Sequence, residues 1–209
     1  MRRMIIAAIA SLALLIGAMP SEADAAASGW KISSYNPSGR ALSSKQAPAG
    51  TAAIATFEFL PTPDNALLAN KATANASILG KTITATYRIV GTGVFAYYGQ
   101  PDGCGTPASV RLYFNTANGP FAYTKYWWSN PAAAILAAPG TGTVTTTVDA
   151  VNWSDWGGEM GATQVAGFNE AASNPDLIGL SFGGGCFFEN GVGVSSGSAT
   201  FELISYTIR

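Results

Sequence analysis

The sequence contains no histidine among its 209 residues. Catalytic Ser-His-Asp and Cys-His sites use an imidazole as the general base, and many zinc and non-haem iron sites use it as a ligand. The absence of histidine therefore excludes all of these sites for the chain taken alone.

Charged side chains are the second scarcity. They make up 11% of the residues, the formal net charge is -1, and neither sign forms a cluster. Nucleic acids and anionic lipids are bound by concentrated positive charge. The composition therefore argues against a nucleic-acid or membrane-surface partner and favours a neutral ligand.

The chain has only two cysteines, Cys104 in the turn-rich residues 101–107 and Cys186 after a run of three glycines. In an oxidising compartment two cysteines form a disulfide more often than a reactive thiol site. A bridge closing a loop of about 80 residues contributes roughly 4 kcal/mol in the chain-entropy model. We expect a Cys104–Cys186 disulfide; the alternative is two free buried thiols.

The only long hydrophobic run covers residues 4–19, after Arg2 and Arg3 and before two Ala-x-Ala sequences. Its length of about 15 residues falls short of the roughly 20 that span a bilayer, which leaves a membrane anchor as the weaker alternative. The pattern is typical of a secretory signal peptide over residues 1–25, cleaved after Ala25 or Ala27. We expect an extracellular or periplasmic protein, without membrane contact after cleavage.

The remaining residues, 28–209, have the length of one domain with a sizeable core. Alternation of apolar and polar residues predicts short strands, most clearly at 82–90, and a final strand at 198–208 with a bulge near Leu203. Residues 36–50 and 64–80 suggest connections, residues 82–98 a hairpin, and residues 163–172 the one helix.

Eight to ten short strands with regular turns predict an all-β fold: an antiparallel two-sheet β-sandwich of the jelly-roll type, with one short helix and one disulfide. An early strand and a long final strand suggest that the two termini pair in one sheet. We expect a single β-sandwich domain over residues 28–209.

Four segments carry a resemblance: residues 127–131, 152–156, 182–188 and 200–208. They resemble a group of secreted bacterial proteins with no assigned activity, and the architecture is similar to the galactose-binding-like jelly rolls that include many carbohydrate-binding modules. The resemblance implies sugar binding on aromatic platforms. The final strand reads Glu202-Leu-Ile-Ser205 where calcium-bearing members commonly carry an acidic motif, so neither metal nor cofactor is expected.

An aromatic-rich region is the first candidate site, because the apolar faces of sugar rings stack on aromatic rings. Large rings also dominate protein cores, so burial is the alternative interpretation. Adjacent strand residues point to opposite faces, so Trp127 and Trp128 cannot share one core. The candidate ligand-binding rings are Tyr126, Trp127, Trp128, Trp153 and Trp156, within a group that also includes Tyr123.

A polar sheet face is the second candidate. Arg111, Tyr113 and Asn115 alternate with apolar neighbours and are expected to face water, where Arg88 and Lys125 could join them. Arginine forks bind hydroxyls and carboxylates and stack on tyrosine. The alternative is an ordinary solvated face whose ion pairs contribute little.

The third candidate is a pair of carboxylates for glycoside hydrolysis, such as Glu58 and Glu202, although no spacing requires it. We therefore predict a secreted, non-enzymatic module for a neutral carbohydrate, with a polysaccharide or cell-wall glycan as partner. A structural or cell-surface protein without a small ligand and a glycoside hydrolase are the alternatives.

Overall fold

The computed structural model describes residues 27–35, 41–61, 67–73, 76–97, 107–116, 119–183 and 191–209. The predicted signal peptide, residues 1–25, and the predicted disulfide partners, Cys104 and Cys186, lie outside this part of the chain. Within it, no helix has the length and hydrophobicity needed to cross a membrane.

Strands dominate the described residues, joined by one α-helix, α1 (Val165–Ser173), and one 3-10 turn (Tyr123–Lys125). The strands are β1 (Ala27–Tyr35), β2 (Ala41–Pro48), β3 (Ala55–Glu58), β4 (Leu67–Lys71), β5 (Thr82–Gly91), β6 (Val94–Tyr97), β7 (Ser109–Asn115), β8 (Tyr126–Ser129), β9 (Ala134–Ile135), β10 (Gly140–Thr147), β11 (Trp153–Asp155), β12 (Leu177–Gly183), β13 (Val192–Ser196) and β14 (Ala199–Ile208).

The strands form three antiparallel sheets. The large sheet has the order β11-β8-β7-β12-β4-β1-β2, with β9 also paired to β7. The small sheet has the order β10-β5-β14-β3, and β13 pairs with β6 in a two-stranded sheet. The prediction of an all-β, antiparallel fold with a single helix is confirmed for the described residues.

The large and small sheets share one hydrophobic core. Phe182 of β12 packs edge-on against Phe57 of β3 and Phe201 of β14, with ring centroids 5.3 and 5.0 Å apart. At the other end of the interface, Tyr206 of β14 contacts the ring of Trp30 on β1 at 5.2 Å. Rings from both sheets interdigitate, which is consistent with a β-sandwich.

Two strands match their predicted patterns closely. In β5, Ile83, Ala85, Tyr87 and Ile89 are buried, and the residues between them are half-buried or exposed. In β14, the register against β5 shifts after Leu203. The predicted bulge is confirmed.

Two predicted connections instead contain strands. Residues 41–48 form β2, which pairs with β1 at the edge of the large sheet. An edge strand needs no apolar alternation, and here a side chain contributes to the pairing: Gln46 donates a hydrogen bond to the Trp30 carbonyl oxygen at 2.9 Å. Residues 67–71 form β4. Its adjacent residues Leu68 and Ala69 are both buried, so the segment lacks the alternation of buried and exposed residues by which a strand is predicted.

The predicted connectivity is wrong in two places. β6 does not form a hairpin with β5 but pairs with β13. At the turn, Gly91 has a φ of 116°, and a Cβ atom there would lie 2.2 Å from the Ser198 carbonyl oxygen. β14 therefore begins where a hairpin partner of β5 would lie. The terminal strands also do not share a sheet, because β1 belongs to the large sheet and β14 to the small one.

Helix α1 lies close to its predicted bounds and supports the 3-10 turn. Phe168, Ala171 and Ala172 are buried, whereas Val165, predicted on the same side, is 48% exposed. Gly167 faces the turn so closely that a Cβ atom on it would lie 2.6 Å from the Thr124 Cβ atom. The missing side chain therefore allows the turn to lie against the helix.

We predict that Gly167→Ala destabilises the protein by about 1–3 kcal/mol through overpacking. In an unobstructed helix interior the same change stabilises by roughly 0.5–1 kcal/mol, so the sign of the effect is diagnostic. The free energy of unfolding from urea titration measures it. A neutral or stabilising result would show that the close approach to Thr124 is not maintained in solution.

We also predict a loss of stability at alkaline pH from two tyrosines of the core, the buried Tyr87 and the partly buried Tyr206. Burial raises the pKa of Tyr87 from the ordinary value of 10 to about 12, and it raises the pKa of Tyr206 as well. The unfolded chain releases both protons near pH 10, whereas the folded chain retains them. Their contribution to stability is therefore complete below pH 10 and is lost as the pH rises towards 12.

Urea unfolding between pH 9 and pH 12 measures this loss. The double variant Tyr87→Phe/Tyr206→Phe is expected to flatten the pH dependence. Tyr123→Phe removes the hydroxyl of a ring that is 54% exposed and serves as the matched control. This variant is expected to show the same change of unfolding free energy with pH as the native chain. Equal pH profiles for the native chain and the double variant would contradict the assignment.

Candidate aromatic binding site

The predicted polar face on β7 points away from the shared core, but it is not exposed to solvent. All seven residues of β7 are buried, including Arg111, Tyr113 and Asn115. Arg111 donates a hydrogen bond from Nη1 to the Ser129 carbonyl oxygen at 2.7 Å, and Asn115 Oδ1 accepts one from the Leu177 amide at 3.2 Å. These polar groups bind the backbone of neighbouring segments.

The other arginine of the expected face lies elsewhere. Arg88 belongs to β5 in the small sheet and forms an ion pair with Glu202 of β14. The two arginines are therefore not brought together. Glu202 is one of the two carboxylates considered for hydrolysis, and it is engaged in this ion pair. The other, Glu58, lies on the adjacent strand β3.

Trp127 and Trp153 lie in the shared core, with no exposed surface. Their indole N–H groups donate to the carbonyl oxygens of Thr124 and Thr147, at 2.7 and 2.8 Å. A ligand at the surface does not reach these rings. Trp128 points to the opposite face, where its ring lies 5.1 Å from that of Tyr113 and is 2% exposed.

A group of exposed and half-buried rings lies next to Trp128. Phe121 is 58% exposed and Tyr123 is 54% exposed, while Tyr126 and Trp156 are half-buried. The Phe121 ring centroid lies 5.6 Å from that of Tyr123, 5.5 Å from that of Tyr126 and 5.7 Å from that of Trp156. We call these four residues the aromatic cluster.

Buried residues hold the aromatic cluster from below. The ring of Trp156 lies 5.8 Å from that of Trp128, which connects the surface rings to the outer face of the large sheet. Asp155 is 2% exposed, and its Oδ1 atom accepts hydrogen bonds from the amides of Gly157 and Glu159 at 2.9 and 3.0 Å. This turn holds the backbone on either side of Trp156.

The 3-10 turn holds the other side of the aromatic cluster. Its Thr124 carbonyl oxygen accepts the Trp127 indole hydrogen bond, and its Lys125 ammonium donates to the Pro120 carbonyl oxygen at 2.8 Å. Tyr123 packs over Gly157, where a Cβ atom would lie 2.9 Å from the ring. The segment that carries Phe121 and Tyr123 is therefore fixed by two side-chain hydrogen bonds, from Trp127 and Lys125, and by the contact with Gly157.

The rings do not form one flat platform. Phe121 and Tyr126 are tilted by 32°, whereas Tyr123 and Trp156 stand at 79° and 89° to Phe121. The surface is a corner formed by one tilted pair, Phe121 and Tyr126, and two rings that stand nearly perpendicular to Phe121. Such a corner offers apolar contacts from ring faces and edges, and the tyrosine hydroxyls offer hydrogen bonds.

Phe121 is absent from the predicted aromatic-rich group, and Tyr123 belongs to that group without being one of its candidate ligand-binding rings. Both residues precede β8, which begins at Tyr126. The preceding Gly119-Pro120 is a turn signal, and rings that directly follow such a signal are placed on the surface. No group of three or more Cys, Asp or Glu residues suited to a metal occurs in the part of the chain that the structure describes.

The chain matches no protein-family model, no curated protein and no solved structure.

Proposed function

We propose that the protein is a secreted, non-enzymatic binding module that takes a neutral carbohydrate, a polysaccharide or cell-wall glycan, on its aromatic cluster. The observation that carries the proposal is the contact between Phe121 and Tyr123, two large rings that are each more than half exposed. Exposed apolar rings in mutual contact are typical of interaction sites.

The chemistry of the aromatic cluster suits a sugar better than a charged ligand. The rings supply apolar surface for the C–H face of a pyranose, and the hydroxyls of Tyr123 and Tyr126 supply polar contacts at its rim. The nearby Lys125 ammonium already donates to a backbone oxygen, and the Asp155 carboxylate is buried beneath backbone amides. Neither charge is directed at a ligand on the rings.

The arrangement of supports indicates a preformed site. Each cluster residue is held by a buried neighbour, a backbone turn or a strand pairing, such as that of Tyr126 with Asn115. A site that is already ordered loses little conformational entropy on binding. Weak stacking contacts are then sufficient for measurable affinity.

The proposal includes export, a jelly-roll relationship and a Cys104–Cys186 disulfide. Strand pairing supports the bridge. β6 pairs with β13 through Tyr97 and Val192, and β7 pairs with β12 through Ser109 and Gly183. Cys104 lies between Tyr97 and Ser109 in the chain, and Cys186 lies between Gly183 and Val192. The residues that flank one cysteine are therefore paired with the residues that flank the other.

For the binding site, we predict that Phe121→Ala and Tyr123→Ala each lower the affinity for a recognised glycan about two- to tenfold, since stacking contacts contribute roughly 0.5–1.5 kcal/mol each. Isothermal titration against a panel of neutral polysaccharides measures this. Leu79→Ala, at an exposed apolar residue outside the aromatic cluster, is the control and is expected to bind normally.

Tryptophan fluorescence sharpens the binding test. All five tryptophans belong to the described residues, and Trp156 is the one that is more than slightly exposed. A ligand-induced emission change is therefore expected to vanish in Trp156→Phe. Absence of heat and of emission change across the panel would favour the structural or cell-surface alternative.

For the disulfide, we predict that the non-reduced protein yields a single peptide pair joined through Cys104 and Cys186 on proteolysis and mass spectrometry. The double variant Cys104→Ser/Cys186→Ser is expected to lose about 4 kcal/mol of stability in urea unfolding, from a loop of about 80 residues. Alkylation of both thiols without prior reduction would show that the bridge is absent.

A further inference from the structure

The outer face of the small sheet carries a regular array of hydroxyl groups. Threonines of β5 stand directly opposite threonines of β10. Their Oγ1 atoms lie 3.5, 2.7 and 3.3 Å apart in the pairs Thr82–Thr147, Thr84–Thr145 and Thr86–Thr143. In each pair one threonine is exposed, namely Thr82, Thr143 or Thr145, and its partner is half-buried.

A third rank of hydroxyls lies on the other side of β5. In β14, Thr207 stands opposite Thr84 and Ser205 stands opposite Thr86. We call these eight residues, the six paired threonines together with Ser205 and Thr207, the hydroxyl array. It extends in two dimensions, along three neighbouring strands and across them.

The hydroxyl array is rigid and repeats at sheet spacings. Threonine is β-branched and has few side-chain rotamers, and the cross-strand contacts between hydroxyls restrict it further. Alternate residues on a strand are about 6.8 Å apart, so the cross-strand hydroxyl pairs repeat along β5 and β10 at about that spacing. β5 is paired on both sides, which keeps the central rank in place.

The array is also free of charge and of rings. Charged residues border it at both ends. The pair Arg88 and Glu202 lies at one end, and at the other Arg209 stands opposite Thr82, with backbone hydrogen bonds of 2.8 and 3.0 Å between them. On the described strands of the small sheet, the aromatic residues Phe57, Tyr87, Phe201 and Tyr206 are directed into the shared core. A glycan surface would be expected to meet stacking rings, whereas the array offers only hydroxyls and methyl groups.

We propose that the hydroxyl array is a second binding surface, whose ligand is crystalline water, the surface of ice. Ice presents water oxygens in a flat lattice with repeats of the same order as those of a β-sheet. Fixed hydroxyls can take the place of lattice waters, and the methyl groups between them order the water above. A strongly hydrated charge inside the array would interrupt this match, and none is present.

Ice partitioning of the purified full chain tests the proposal. The protein is mixed with a non-binding control protein and ice is grown slowly from the solution, with thermal hysteresis measured in parallel. The native chain is expected to be enriched in the ice fraction. Thr143→Lys and Thr145→Lys, at exposed positions of the edge strand β10, are expected to remove the enrichment because a long charged side chain holds the lattice away from the sheet.

Two controls separate this surface from the rest of the molecule. Thr51→Lys makes the same chemical change at an exposed residue outside the strands, and Phe121→Ala disables the aromatic cluster; both are expected to partition like the native chain. Circular dichroism verifies the fold of each variant. Native protein excluded from ice like the control protein, or folded β10 variants that are still enriched, would overturn the proposal, and neither result bears on glycan binding.

Discussion

The structure depends on the interlocked phenylalanines between the large and small sheets. Phe57, Phe182 and Phe201 contact one another with centroid distances of 5.0–5.3 Å, and Phe59 lies within 6.2 Å of all three. Each fully buried phenylalanine contributes roughly 1.5–3 kcal/mol of hydrophobic free energy. Because these rings come from β3, β12, β14 and the residue after β3, their packing determines how the two sheets face each other.

That packing leaves each sheet with one outer face, and the two outer faces differ in chemistry. On the large sheet, the outward residues of β7 are covered, and the aromatic cluster borders them through Trp128 and Trp156. On the small sheet, the outward residues include the exposed and half-buried threonines of β5 and β10. One shared core thus supports two surfaces that lie on different sheets and can be tested separately.

The parts of the fold that could be predicted are those in which one face is buried and the other wet. β5 and β14 follow this rule. In β14 the alternation of apolar and polar residues changes phase near Leu203, which predicts the bulge that the structure contains. β2 could not be predicted because an edge strand of polar residues has no apolar period. In β7 the alternation correctly separated Arg111 and Tyr113 from the core, but it carries no information on whether something covers the other face. For the same reason, the sequence located an aromatic-rich region but could not say which rings are exposed.

The burial of β7 on both faces has a consequence for how the protein tolerates variation. A strand without an exposed residue accepts few substitutions, and its amides are expected to exchange with solvent only on global unfolding. The turn that bears Phe121 and Tyr123 follows this strand directly in the chain and is wedged against α1 by Gly167. Exchange of these two surface rings can therefore change the chemistry of the aromatic cluster, while the slowly exchanging strand behind them keeps the scaffold unchanged.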